Sequence, residues 1–509
     1  MFRRLLSVGG YTLLSRIAGF ARDVLMAAVL GDGLLSDAFF VAWRLPNSFR
    51  GIFAEGSFNV AFIPRYAAAR EKRGDEEAAR FADNVYSWQM AAQVVLLVAA
   101  IACMYWIVRV MAPGFAAHSG ETELAVSLSR ITFPYLILTV IAVQLSAMLN
   151  SHGRFAAAAA WSIFLNLAMI ATLLSARWFP NAAYAAASGV FLAGVLQYVF
   201  IAWAAARRGL RLRLTRPRWT PEVRNFLGAL GAATFGSASV QIALFFDTLI
   251  ASFFPGVLTA VNYADRIDQL PLGTLGIALA TVLLPEMSTL IAKGDEKGAN
   301  ASQNRSAALG LFLTLPFAAA FILVPQTIMR GIFAHGAFHV DAADVSAAAL
   351  AGYGVGLPAF VLVRVIAATF YARHDTATPV RATLLAVAVN VALKFLLVWG
   401  FHLGALGVAL GTSIGSWANI CLLIFLARRR GLLEIDDTFR HALGPSILGA
   451  VATGGFALGG AMLGLSLIPK AGLAQNEAAL ALAILFGVIA YGIVTLVFRR
   501  RLPLGRLAL

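Results

Sequence analysis

The sequence predicts an all-α polytopic membrane protein of about 14 transmembrane helices, with two parallel six-helix lobes and two extra C-terminal helices. Three observations predict this fold. Hydrophobic residues make up 60% of the 509 positions and charged residues only 13%, which is outside the range of soluble proteins. Apolar segments of about 20 residues recur along the whole chain. The chain also repeats itself at a nearly constant spacing.

The apolar segments place the spans near 8–30, 35–63, 83–111, 125–150, 157–179, 183–206, 225–253, 259–290, 305–331, 346–371, 379–400, 405–427, 441–464 and 478–498. The connections after the second, sixth and twelfth spans are rich in Arg and Lys, whereas 112–123 and 332–345 contain neither. By the positive-inside rule the basic connections lie in the cytoplasm. An even number of spans then puts both termini there as well.

The repeat defines the expected domains. At offsets of 222 to 224 residues, Asp23 matches Asp247, Arg44 matches Arg266, Asn166 matches Asn390, and 207–209 matches 429–431. Six spans per copy is an even number, so both copies enter the membrane from the same face. Parallel halves of this kind enclose a central site and rock around it. We therefore expect an N-terminal lobe at 1–215, a C-terminal lobe at 216–432 and a two-helix extension at 433–509.

The segment 15–56 carries an unusual density of charge for a membrane segment. Its charged residues are Arg16, Arg22, Asp23, Asp37, Arg44, Arg50 and Glu55. One Arg at the centre of a membrane helix costs roughly 2.5 to 3.5 kcal/mol on insertion scales. A wet, protein-lined cavity that holds an anionic ligand offsets this cost. Arg suits phosphate because its planar fork donates paired hydrogen bonds and keeps its charge.

These arginines predict a site for a phosphate or pyrophosphate group in a cavity between the lobes. Only Arg44 has an arginine counterpart in the repeat, so Arg16, Arg22 and Arg50 are additions of the N-terminal lobe. Internal ion pairs are the alternative, with Arg16 or Arg22 paired to Asp23 and Arg50 paired to Glu55. Snorkelling to the interface is a further explanation for Arg16 and Arg50.

Four other groups are expected to serve conformational change or coupling. Pro46 removes a backbone hydrogen bond in the second span, and Asn47 and Gly51 adjoin it, so this helix should kink and move. Asp37 follows a tight outer turn at Gly31 and Gly33, which is either a gate or, more commonly for such turns, an ordinary helical hairpin. In the second lobe, Asp265 and Asp268 flank Arg266 and would neutralise it between transport steps. Asp247, Asn390 and Lys394 form a candidate coupling group, with the last two one helical turn apart.

The sequence argues against several other functions. The connections are too short for a catalytic domain, and the chain has neither a P-loop nor His spacing of the metal-ligand kind, so we expect no enzyme and no metal site. The net charge of +15 is spread over short clusters between spans, so we expect no nucleic-acid partner. The basic connection 207–224 could also be a patch for lipid headgroups or nucleic acid, although membrane orientation explains it without a partner.

Several motifs carry a family resemblance: SRIAGFARD, DAFF, RLPN, FRGIFAEGSF, AFIP and NYADR. With them the chain resembles the MurJ (MviN) family of lipid II flippases, within the group of multidrug and polysaccharide exporters. The resemblance implies a bacterial inner-membrane protein that moves the undecaprenyl-pyrophosphate-linked peptidoglycan precursor, lipid II, from the cytoplasmic to the periplasmic leaflet. It also implies that Arg16, Arg22, Arg50 and Arg266 contact the headgroup. The last two helices would form a groove for the polyprenyl tail.

The resemblance implies further partners and an energy source. The partners would be lipid II, bilayer lipids and proteins of cell-wall synthesis or division, with no cofactor. The family is energised by the membrane potential and, in some members, by sodium; Lys394 argues against sodium here because a cation site requires a neutral or acidic group. Two alternatives remain: an exporter of another polyprenyl-linked glycan or a drug, and a scaffold of the cell-wall machinery that does not transport.

Overall fold

The computed structural model describes residues 2–53, 57–467, 474–499 and 501–502. Within these ranges every regular element is helical, and the chain divides into two compact units, Met1–Pro255 and Gly256–Leu509. The first unit contains α1 (Phe2–Leu30), α2 (Leu34–Phe53), α3 (Ser57–Arg73), α4 (Asp75–Ala102), α5 (Met104–Met111), α6 (Glu121–Thr132), α7 (Tyr135–Ser151), α8 (Phe155–Leu174), α9 (Ala182–Ala206) and α10 (Pro221–Ala251).

The second unit contains α11 (Val257–Pro271), α12 (Ile277–Ala292), α13 (Glu296–Leu323), α14 (Pro325–Phe333), α15 (Val340–Tyr371), α16 (Ala377–Phe395), α17 (Gly404–Arg429), α18 (Asp437–Leu467) and α19 (Ala474–Val497). A π-helical turn, Leu272–Gly276, joins α11 to α12, and a second one, Leu396–Gly400, follows α16. Such turns widen the helix locally and are frequent at functional sites.

The predicted fold class is confirmed, because a helix lies at each of the fourteen expected spans. Several spans consist of two helices in sequence, such as α6 with α7 at 125–150. Within the described part of the chain, eleven helical segments are long and apolar enough to cross a membrane. The remaining expected spans correspond to α1, to α2 with α3, and to α10.

The contact boundary between the units differs from the boundary that the repeat suggests. The units divide after Pro255, whereas the repeat divides at 215. The difference arises because α10 packs against α2 and α3 and is therefore grouped with them by contact. The division into two lobes and an extension, at 215 and 432, describes the sequence repeat and stays a prediction.

The structure adds a matched feature to the repeat. In the first unit the Asn84 amide donates to the backbone oxygen of Arg218 and accepts from its N–H, both at 2.9 Å. In the second unit the Asn300 amide makes the same two contacts with Glu434, at 2.9 and 3.0 Å. In each case the partners are 134 residues apart. The connection after the sixth span of each copy is thus held along a helix of its own unit by an equivalent amide clamp.

The two last helices, α18 and α19, cross at small residues. A Cβ added at Gly460 of α18 would lie 2.5 Å from the backbone oxygen of Leu482 in α19. A Cβ added at the adjacent Gly459 would meet nothing within 4 Å. The crossing therefore requires glycine at Gly460 and also at Gly464, where a Cβ would lie 2.5 Å from Ala479 Cα, but not at Gly459.

We expect Gly460→Ala to destabilise the protein by about 1–3 kcal/mol, because the methyl group would push the two backbones apart. Gly459→Ala is the matched control and should be neutral or stabilising by up to about 1 kcal/mol, since alanine favours a helix. Thermal unfolding of both purified variants in the same detergent measures the difference. Equal melting temperatures would contradict the close crossing.

Candidate functional site

Arg22 lies in a buried polar cluster where α1 packs on α8. Its side chain donates from Nε and Nη2 to Asp23 Oδ1, at 3.0 and 2.6 Å, and from Nη1 to Asn166 Oδ1 at 2.9 Å. The Asn166 amide in turn donates to the backbone oxygen of Ser15 at 2.9 Å. Arg22 and Asp23 are only 6% and 5% exposed. The ion-pair alternative is therefore present for Arg22, and Asn166 joins it to a second helix.

Asn166 is a site residue that the sequence analysis did not assign. Gly19 adjoins it, and a Cβ at that position would make an ordinary contact of 3.5 Å with the Asn166 amide nitrogen. The available signals were its repeat match to Asn390 and its position as a polar residue in the apolar span 157–179. Together Asn166 and Asp23 fix the orientation of the Arg22 guanidinium.

Arg44 has a different environment in the same unit. Its Nη1 donates to Thr248 Oγ1 at 2.7 Å and to the Leu244 backbone oxygen at 3.1 Å. These contacts join α2 to α10. The Thr248 hydroxyl also donates back to the Leu244 oxygen at 3.0 Å, so the three groups form a closed network. Arg44 thus has a clear structural role, and its headgroup contact stays a prediction.

The predicted moving segment of α2 is a continuous helix that runs through Pro46. Arg50 donates from Nε and Nη2 to Asn47 Oδ1, at 3.2 and 2.7 Å, one turn back along the helix. At Gly51 a Cβ would lie 3.0 Å from the amide nitrogen of Gln241, which is the end of a flexible side chain of α10. The kink and the gating role stay predictions. Glu55 lies outside the described residues, so its pairing with Arg50 is untested.

Arg16 and Asp37 occupy opposite environments. Arg16 is exposed on α1, where a side chain can reach either the bilayer interface or a ligand. Asp37 is 1% exposed at the start of α2, directly after a turn in which Gly31 and Gly33 have φ of 72° and 88°. The tight outer turn is therefore present. Its role as a gate stays a prediction.

The structure adds Glu121 to this outer region. Glu121 is 3% exposed and its Oε2 lies 3.6 Å from His118 Nδ1. Asp37 interacts electrostatically with Glu121, so the two buried acidic side chains lie near each other. Sequence reasoning missed this residue; the signal was an acidic residue at the beginning of an apolar span.

In the second unit, the two acidic residues of α11 that flank Arg266 differ in burial and in hydrogen bonding. Asp265 accepts from Gln269 Nε2 at 2.8 Å and is partly exposed. Asp268 is 2% exposed, and among the described residues its Oδ1 has no hydrogen-bond partner. Arg364 of α15, which the sequence analysis did not assign, donates to the Leu272 oxygen of the π-helical turn at 3.3 Å. The headgroup role of Arg266 stays a prediction.

Asn390 and Lys394 lie on the face of α16 that packs against α17. They are 7% and 0% exposed. A Cβ at Gly411 would lie 2.4 Å from Lys394 Cγ, and one at Gly415 would lie 2.7 Å from Asn390 Cβ. The expected one-turn spacing on one face is therefore present. Asp247, 8% exposed, belongs to α10 of the first unit, and its coupling to this pair stays a prediction.

An apolar cavity of about 340 Å³ lies in the second unit, between α13 and α14 on one side and α18 and α19 on the other. Its lining includes Pro316, Phe321, Ala457, Ile484, Gly487 and Tyr491. The Tyr491 hydroxyl donates to the Phe312 backbone oxygen at 3.2 Å, which satisfies its polar group away from the cavity. The two C-terminal helices thus line a groove suited to a hydrocarbon chain. Among the described residues there is no group of three or more metal-ligating side chains.

One known protein family matches most of the chain. The sequence profile of the family described as lipid II flippase MurJ matches residues 26–462. The chain belongs to this family. Relatives named probable lipid II flippase MurJ are 38% identical over 499 residues in Rhizobium tropici, covering 96% of this chain and 93% of the relative, and 42% identical over 439 residues in Rhizobium meliloti strain 1021, covering 85% and 81%.

Solved structures share the fold of the family. A lipid II flippase MurJ in an inward closed conformation aligns with a TM-score of 0.80 and 23% identity, covering 97% of this chain and 99% of the other. An inward-facing multidrug resistance MATE family transporter of the MOP superfamily aligns with a TM-score of 0.69 and 18% identity, over 84% and 98%. The family recognised from the sequence motifs is confirmed, and the chain is a multi-span membrane protein of a transporter family.

Proposed function

We propose that this protein translocates lipid II from the cytoplasmic to the periplasmic leaflet of the bacterial inner membrane by alternating access. It thereby supplies peptidoglycan synthesis and maintains cell shape, and it is a transporter and no enzyme. The observation that carries the proposal is the set of arginines in α1 and α2 of a chain with this family membership. A pyrophosphate-linked headgroup offsets the cost of these charges in a membrane protein.

Arg22 is prepared for such a ligand by its neighbours. Three of its five N–H donors are used by Asp23 and Asn166, which leaves two donors for a phosphate oxygen. The ion pair with Asp23 keeps the guanidinium neutralised while the site is empty. Arg16 and Arg50 would add positive charge from the same two helices. The headgroup then competes with Asp23 for the arginine.

The apolar groove of the second unit supports a site for the lipid tail. Because α18 and α19 line it, such a site would give a function to the two helices beyond the repeat. A volume of about 340 Å³ accommodates part of an undecaprenyl chain, and the remainder would lie in the bilayer. The polar headgroup and the apolar tail would thus contact different residues.

No cofactor is part of the proposal, and the membrane potential is the proposed energy source. Lys394 is fully buried, so its ammonium occupies the space that a coupling cation would need on α16. This argues against sodium at Asn390 and Lys394. Both termini are proposed to lie in the cytoplasm, and proteins of cell-wall synthesis or division are proposed partners.

The experiment that tests the function uses a cell whose own flippase can be depleted. After depletion, we expect this protein to restore lipid II at the outer leaflet, measured by a membrane-impermeant enzyme that modifies exposed lipid II. An empty vector and the unrelated glycan lipid of the same polyprenyl carrier are the controls. A lipid II distribution unchanged by the protein, with growth restored, would favour the scaffold. Movement of the other glycan lipid alone would favour a different exporter.

A further inference from the structure

A surface cavity of about 450 Å³ lies in the first unit, where the α7–α8 connection meets the last turn of α9. We call it the corner cavity; Arg154, Arg207 and Arg208 line it together with Phe155 and Trp203. The Arg207 guanidinium carbon lies 4.0 Å from the centroid of the Trp203 ring. Phe155 and Trp203 are 46% and 51% exposed, so basic and apolar side chains adjoin in one open cavity.

The three arginines of the corner cavity have no acidic partner within the described part of the chain. None of the ion pairs there involves Arg154, Arg207 or Arg208. Three like charges around one cavity repel one another, and an anion between them would be attracted by all three. The cavity is therefore complementary to an anionic group.

The second unit contains an equivalent corner, and comparing the two shows which side chain differs in the first unit. Gly153 and His374 both have left-handed backbones, with φ of 71° and 62°. The next residues, Arg154 and Asp375, each donate their N–H to the backbone oxygen five residues earlier, at 3.0 and 2.9 Å. The two connections therefore have the same backbone course. Asp375 occupies the position of Arg154.

The ends of α9 and α17 match in the same way. Gly209 and Gly431 have φ of 73° and 67°. The residue after each glycine donates its N–H to the oxygen five residues earlier, at 3.0 and 2.9 Å. Arg430 therefore occupies the position of Arg208.

In the second unit a carboxylate closes this corner. Asp375 accepts from the Thr378 N–H at 2.9 Å, from the Thr378 hydroxyl at 2.7 Å and from Arg430 at 2.8 Å. These hydrogen bonds, with the Arg430 charge, lower the pKa of Asp375 to about 2, so it is ionised at neutral pH. In the first unit the same position is Arg154, and α8 begins without a side-chain cap. The charge at this position is therefore reversed between the two units. No residue that lines the corner cavity supplies the carboxylate that pairs with arginine in the second unit.

We propose that the phosphate of an anionic phospholipid, such as phosphatidylglycerol, binds in the corner cavity and takes the place of the Asp375 carboxylate. A lipid fits better than free phosphate because the apolar wall of Phe155 and Trp203 continues along α9 to Val199, which is 55% exposed. Acyl chains would cover these side chains. Aromatic residues beside basic residues are typical of the membrane interface, and basic pockets between membrane helices bind lipid headgroups.

The test measures binding of phosphatidylglycerol to the purified full-length protein by native mass spectrometry, with phosphatidylcholine as the uncharged reference lipid. Arg154→Asp should form with Arg208 the ion pair that the second unit already has. We expect it to weaken phosphatidylglycerol binding at least about fivefold, since each Arg near an anionic lipid contributes about 1 kcal/mol. Arg154→Gln, which removes the charge without adding another, should weaken it less.

The matched control is Arg430→Ala, which removes an arginine from the equivalent corner of the second unit. It should leave phosphatidylglycerol binding unchanged because Asp375 already neutralises that corner. Equal affinity of Arg154→Asp and the wild type would overturn the proposal, as would equal binding of phosphatidylcholine. Displacement of the lipid by millimolar inorganic phosphate would identify the free ion as the ligand and overturn the lipid assignment. Melting temperatures of all variants establish that each is folded.

Discussion

Arg22→Ala should reduce lipid II transport roughly 10- to 100-fold, enough to prevent complementation, while the protein still reaches the membrane. The substitution removes the donors proposed for the pyrophosphate, and a hydrogen bond to a charged group contributes about 1.5 to 3 kcal/mol, or roughly 10- to 100-fold in transport rate. Complementation of a flippase-depleted cell and leaflet accessibility of lipid II measure the effect. Arg80→Ala is a matched control, because Arg80 is an exposed arginine paired with Glu76 and Glu77.

A second variant separates binding from folding. Arg22→Ala leaves Asp23 as a buried carboxylate without its partner, which can destabilise a protein by about 3–5 kcal/mol. The double variant Arg22→Ala with Asp23→Asn removes both charges and should restore stability without restoring transport. Recovery of transport in the double variant would show that Arg22 serves only to neutralise Asp23. Arg266→Ala tests the predicted headgroup role in the second unit by the same measurements.

Gly487→Leu should block transport by filling the apolar groove. A Cβ at Gly487 would make ordinary contacts of 3.4 and 3.6 Å with Thr453 and Ala457, so the first atom fits and the larger side chain extends into the cavity. We expect a loss of at least about tenfold in lipid II transport, since a few displaced methylene contacts at about 0.8 kcal/mol each exceed that factor. Proteoliposomes with purified protein measure the rate.

The same helix offers a matched control for the groove. Gly492→Leu makes the same change on α19 at a position where a Cβ meets nothing within 4 Å. It should transport normally. A lipid II analogue with a short tail should be moved equally by both variants, because it does not need the groove. Equal loss for long and short tails would indicate damage to the fold and contradict the tail site.

The helices of this protein were largely predictable because the bilayer imposes their length and composition. The spans at 157–179 and 183–206 coincide with α8 and α9 within a few residues. The break of 259–290 at Pro271 into two helices with a π-helical turn was not predicted. Apolar runs indicate which segments lie in the membrane. They carry little information about the local hydrogen-bond pattern within a span.

The candidate site was predictable only in part. The charge density of α1 and α2 identified Arg22 and Asp23, since charged residues in a membrane segment require a function or a partner. Asn166 was missed because its contact with Arg22 joins residues 144 positions apart. Glu121 was missed because its burial is set by helix packing and cannot be read from the segment around it. The choice between a ligand and an ion pair for Arg22 likewise depends on which side chains surround it.

The sequence by itself determined that the chain crosses the membrane many times, repeats a six-span unit and belongs to the lipid II flippase family. These properties follow from hydrophobicity, spacing and local motifs, which are read along the chain. Only the tertiary structure decided that Arg22 is held by Asp23 and Asn166, that α18 and α19 line an apolar groove, and that Arg154 occupies the position of Asp375. The Asn166 contact and the groove depend on residues far apart in sequence, whose proximity is set by helix packing. The equivalence of Arg154 and Asp375 depends on the backbone course of two connections, which hydrophobicity and spacing do not reveal.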